Sequence, residues 1–102
     1  MNRLALLLAG LLPVLAFANP AADAKPKAGS YGFNWLAPAK AACRQITDKD
    51  IASFKECKDS ENAFGIDLPS KACRVDKKVE FIVYDTKEHC QEGLETMQAN
   101  GD

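Results

Sequence analysis

Lys71-Ala72-Cys73-Arg74-Val75-Asp76-Lys77-Lys78-Val79-Glu80-Phe81-Ile82-Val83-Tyr84 reads as two strands, Lys71 to Val75 and Val79 to Tyr84, around a polar Asp76-Lys77-Lys78 connection. With Val75 opposite Val79, one face carries Cys73, Val75, Val79, Phe81 and Val83, and the other carries Ala72, Arg74, Glu80, Ile82 and Tyr84. One apolar face and one mixed face is the pattern of an antiparallel hairpin covered on one side. A lone hairpin is marginal in water, so the rest of the chain has to cover it.

Two helices are predicted for that purpose. After the hairpin, Asp85 is placed to cap, Glu88 to complete a capping box, and Tyr84 and His89 to form a hydrophobic staple. Cys90, Leu94 and Met97 then recur on one side of a helix that stops at Asn100-Gly101. Gly93 adjoins that stripe, where its missing side chain permits close approach to the sheet at a cost of about 1 kcal/mol in helix propensity. Upstream, Thr47 and Asp50 are spaced as a capping box, with Ile46 and Ile51 as its staple. Ile51, Phe54 and Cys57 follow at helical spacing, which predicts an amphipathic helix over Asp48 to Lys58. Pro38 suits the first turn of a short helical stretch from Ala39 to Arg44. Asp59 to Ser70, broken by Gly65 and Pro69, reads as a loop. In Tyr31-Gly32-Phe33-Asn34-Trp35 aromatic residues alternate with small or polar ones, which suits an added strand. The expected fold class is therefore α+β: a small disulfide-stabilised domain in which a β-hairpin, with a candidate third strand, is covered on one face by two or three helices.

The chain starts with a basic Asn2-Arg3, an apolar run from Leu4 to Phe17 and the small-x-small sequence Ala16-Phe17-Ala18, the pattern of an export leader over residues 1–18. The run is shorter than the roughly 20 apolar residues of a membrane span. Residues 19–30, rich in Ala, Pro and Lys, read as a flexible lead-in to one domain over residues 31–102. Cleavage after Ala18 leaves 84 residues, with 12 Lys and Arg against 14 Asp and Glu because Arg3 is lost with the leader. The signs are interspersed, which argues against nucleic acid and anionic membrane surfaces as partners. No cysteine adjoins the cut to carry a lipid, so a periplasmic or secreted, soluble protein is expected.

Cys43, Cys57, Cys73 and Cys90 are 14, 16 and 17 positions apart, without a C-x-x-C pair, so zinc and thioredoxin-like spacings are absent. Export predicts two disulfides. Along the expected helix, Cys43 and Cys57 would be ~14 Å apart, which disfavours their pairing. Cys43–Cys90 with Cys57–Cys73 is preferred, and Cys43–Cys73 with Cys57–Cys90 stays open.

His89 is the single histidine, and Ser53, Ser60 and Ser70 lie outside any nucleophile-elbow pattern. Packing on Tyr84 accounts for His89, while Asp85, Glu88, His89 and Glu92 offer a lesser metal-binding alternative. Cys57, Cys73 and Cys90 lie on apolar faces and read as structural rather than redox-active. No catalytic, cofactor-binding or metal residue is assigned, and no enzyme activity or cofactor is expected. Trp35 and Phe33 are placed to close one edge of the core; the alternative makes Tyr31, Phe33 and Trp35 a candidate binding surface, since exposed aromatics with polar handles suit a sugar or a protein partner. Arg44, Arg74 and Lys71 are available to add polar contacts. The expected function is an exported, non-catalytic binding or accessory module acting on an unknown protein partner. The alternative is a ligand- or metal-binding protein using the Trp35 segment or the His89 helix.

Overall fold

The structure, a computed structural model, describes residues 25–100. The expected leader, the start of the lead-in (19–24) and the Gly101 stop lie outside these residues.

Period-two alternation places Lys71–Tyr84 in two strands, β4 (Ser70–Asp76) and β5 (Val79–Tyr84). Lys77 and Lys78 make the turn, where the Asp76 carboxylate accepts from the Lys78 N–H at 2.8 Å. The register differs from expectation. Arg74 faces Glu80 and Asp76 faces Val79, with a shift between them, so Val75 lies in the irregular stretch.

The strands do not stop at a hairpin. β1 (Tyr31–Asn34) and β2 (Arg44–Gln45) flank β5 on one side, and β3 (Glu56–Ser60) flanks β4 on the other. Together they make a five-stranded antiparallel sheet of order β2-β1-β5-β4-β3. Among the described residues the first and last strands, β1 and β5, are neighbours, with Phe33 opposite Ile82 and Tyr31 opposite Tyr84.

This overturns the expected hairpin under two or three helices. The fold is mostly sheet, with a six-residue helix α1 (Asp48–Ser53) and a 14-residue helix α2 (Lys87–Asn100). The helix expected to reach Lys58 stops at Ser53, because Phe54 turns extended at ψ 124° and residues from Glu56 pair with β4. Spacing of Ile51, Phe54 and Cys57 is satisfied equally by one helical turn followed by a strand. A six-residue helix has little stability of its own, and strand pairing and burial override its pattern. Pro38 likewise opens only a three-residue 3-10 turn, Pro38–Lys40, after which Arg44 and Gln45 pair with β1.

Both sheet faces are covered. On one, Phe33, Ile82 and Tyr84 pack with Cys90, Leu94 and Met97 of α2. That helix lies across β1 and β5 rather than over the β4–β5 hairpin, on the side that carries the mixed residues of the sequence pattern. On the other, Cys57, Cys73, Phe81 and Val83 of the sheet pack with Ile46 and Phe54 from the segment around α1. Full burial of one such large side chain stabilises by roughly 1.5–3 kcal/mol.

Each core contains one disulfide. Cys43 is bonded to Cys90 with Cα atoms 6.1 Å apart, tying the β1–β2 connection to α2. Cys57 is bonded to Cys73, directly opposite across β3 and β4, at a Cα separation of 4.1 Å. Cys43 and Cys57 are kept apart by the sheet itself, since they belong to cores on opposite faces. The helical rise through Lys58 has no part in it.

The Thr47 capping box is present. The Asp50 N–H donates to the Thr47 hydroxyl, and the Asp50 carboxylate accepts from the Thr47 N–H at 2.8 Å. At the start of α2, Thr86 rather than Asp85 caps, accepting from the His89 N–H at 3.1 Å. No helix among the described residues is long and apolar enough to cross a membrane.

Candidate functional site

Residues 25–30 run beside the sheet and are fixed to it. Pro26 is buried. Lys27 to Ser30 form a turn in which the Ser30 N–H donates to the Lys27 carbonyl at 3.1 Å. Gly29 adopts φ +97°, a left-handed conformation that glycine accepts without steric cost. Gly29 N–H donates to the Ile46 carbonyl at 2.9 Å, and Ile46 N–H donates to the Ser30 carbonyl at 2.7 Å. Ile46 is a core residue, 1% exposed, so this turn is anchored on the interior.

Between this segment and the end of the sheet, where β4 begins and β5 finishes, lies an open cleft of about 470 Å³. That is within the range of small-ligand and peptide sites, roughly 300–1,000 Å³. Pro26 and Pro69 line it, with the end of β5 at Val83 and Tyr84 behind them, both 2% exposed; Ser30 and Ser70 are its hydroxyl-bearing residues, and Lys25, Lys27 and Lys71 give its positive charge. Two carboxylates also line it, and both are engaged. Asp59 accepts from the Lys71 ammonium at 2.6 Å, and Asp85 lies 2.8 Å from His89 Nδ1. Among the described residues, no carboxylate lies within ion-pair distance of Lys25 or Lys27. Three cations against two anions leave the cleft net positive in a chain that is net negative.

The aromatic segment singled out from sequence has a different setting. Tyr31, Phe33 and Trp35 lie on the same side of the sheet, against the α2 core. Phe33 is fully buried, so any surface formed here is confined to Tyr31 and Trp35, which are partly buried. Trp35 donates its indole N–H to Glu80 Oε1 at 2.9 Å and meets the edge of Phe64 at a centroid distance of 6.1 Å. Phe64 also stacks on Phe33 at 6.0 Å. It holds φ 59°, unusual for a residue with a side chain, beside Gly65 at φ 83°.

Arg44, Arg74 and Lys71 are not brought together. Arg44 makes a bidentate bond to Asp50, 2.8 and 2.9 Å, and its guanidinium lies 4.9 Å from the centre of the Phe81 ring. Arg74 faces Glu80 at 3.6 Å, and Lys71 belongs to the cleft. The Arg44 guanidinium, with the Thr47 N–H and hydroxyl, holds the Asp50 carboxyl down at about 2. His89 is half-exposed and meets Asp85 one helical turn away. Among the described residues, no three metal-ligating side chains converge, so Glu88 and Glu92 do not complete a site with His89.

No local pattern announces the cleft, since its lining comes from the lead-in and from the ends of β3, β4 and β5. No family model, curated protein or solved structure matches this chain.

Proposed function

We propose that this chain is an exported, non-catalytic binding module that acts by protein–protein contact in the periplasm or outside the cell, with the lysine-bordered cleft as its contact surface. Two disulfides are chemistry suited to an oxidising compartment. One ties the long helix to the β1–β2 connection and the other ties β3 to β4, and a surface held rigid loses little conformational freedom on binding. The observation that carries the reading is the cleft itself: a concavity bordered by Pro26 and Pro69, with two ammonium groups that have no ion-pair partner among the described residues, beside backbone hydrogen-bonded to a core residue.

The test is site-specific photo-crosslinking in the cells that make the protein. A photoreactive residue in place of Pro69, which lines the cleft, should trap a discrete protein adduct. The same residue in place of Ala52, an exposed position on α1, should not. Equal adducts from both positions, or none from Pro69, would remove the cleft as the contact surface.

A further inference from the structure

We infer that the cleft receives an extended acidic segment of the partner, its carboxylates on Lys25 and Lys27 and an apolar side chain between Pro26 and Pro69. This rests on the reading of the cleft as the contact surface.

Charge complementarity selects the occupant. Lys71 is already neutralised by Asp59, whereas Lys25 and Lys27 have no ion-pair partner among the described residues. They flank the buried Pro26, and the chain after them is held by the two hydrogen bonds between Gly29–Ser30 and Ile46. A ligand therefore meets two ammonium groups two residues apart on either side of a buried proline, and successive same-side residues of an extended peptide have the same spacing. Pro69, exposed across the cleft from Pro26, asks for a hydrophobic side chain between the charges. A polyanion such as nucleic acid or an anionic bilayer fits less well. Asp59 and Asp85 border the same cleft, and the chain as a whole is net negative.

The experiment uses fluorescent peptides that alternate Glu with Leu, Val or Phe, their Gln-for-Glu counterparts, and vesicles of phosphatidylglycerol. Binding is followed by anisotropy, and the site by amide chemical shifts of the oxidised protein. The acidic peptides are expected to shift cleft amides and to bind about tenfold more tightly than the Gln peptides, as two exposed ion pairs allow. Raising the salt should weaken them. Lys25→Glu with Lys27→Glu should abolish the preference, with unfolding by urea unchanged. Equal binding of acidic and Gln peptides in the cleft would overturn the acidic class while leaving the cleft as the contact surface. Absence of any cleft shift with every peptide would overturn both. Vesicle binding that exceeds peptide binding and is lost in the double variant would replace the peptide with a membrane surface.

Discussion

The Tyr84 hydroxyl occupies the space above Gly93. A β-carbon at Gly93 would lie 2.7 Å from Tyr84 Cε1 and closer still to the hydroxyl oxygen. The glycine is what lets α2 settle on β5, and the contact sits in the same core as the Cys43–Cys90 bond. The hydroxyl is buried and has no hydrogen-bond partner among the described residues. An unpartnered buried hydroxyl is costly, so its removal is not expected to harm the fold.

Gly93→Ala is therefore expected to destabilise by about 1–2 kcal/mol, the overpacking cost exceeding the gain in helix propensity. Tyr84→Phe should be neutral or stabilising by up to about 1 kcal/mol. In the Tyr84→Phe background the penalty of Gly93→Ala should shrink, since the two groups share one space. Urea unfolding of the four proteins measures this. A stabilised Gly93→Ala protein would contradict the packing described here.

Alkaline stability follows from the same residue. Burial, and then the charge of Glu92, raise the Tyr84 phenol above its ordinary value of 10.0. The unfolded chain releases this proton first, so the stabilisation is present below pH 10 and is lost as pH rises beyond it. Tyr84→Phe should flatten the fall in unfolding free energy above that pH. An unchanged slope would show that the phenol is not protected by burial.

At the acid end the Arg44–Asp50 pair sets the window. Asp50 titrates at about 2 in the fold against an ordinary 3.8, so its contribution is complete above 3.8 and is lost as pH falls through about 2. Arg44→Gln should move the Asp50 carboxyl resonance titration upward, and salt should weaken the effect, because half of the Arg44 side chain is in solvent. An Asp50 titration unaffected by Arg44→Gln would dissociate the pair.

The disulfides differ in the length of chain they close. Cys43–Cys90 spans 47 residues and Cys57–Cys73 spans 16. In the chain-entropy account, removing the first costs about 4 kcal/mol and the second about 3 kcal/mol. Paired Cys→Ala variants compared by urea unfolding should show that order.

Local signals were legible. The Thr47–Asp50 box, the alternation through β4 and β5, and the apolar stripe Cys90–Leu94–Met97 depend on neighbours in sequence and can be read there. The long-range pairings could not be read. Tyr31 meets Tyr84 and Glu56 meets Arg74 only after the chain has closed on itself, and β2 is two residues long. Ile51, Phe54 and Cys57 fit a helix as well as they fit a turn and a strand, so periodicity alone extended α1 too far. The long helix covers Ile82 and Tyr84, while Phe81 and Val83 are covered by Ile46 and Phe54. The cleft was hidden for the same reason. Lys27 and Lys71 are 44 positions apart and come to line one cleft through the pairing of β1, β5 and β4.

The account depends on a sheet with one covalent crosslink in the core on each face, and a peptide map of the unreduced, natively purified protein tests it most directly. It predicts that the Cys43 peptide is joined to the Cys90 peptide and the Cys57 peptide to the Cys73 peptide, with no free thiol. A fragment joining Cys43 to Cys57 or to Cys73, or four reactive thiols, would contradict it.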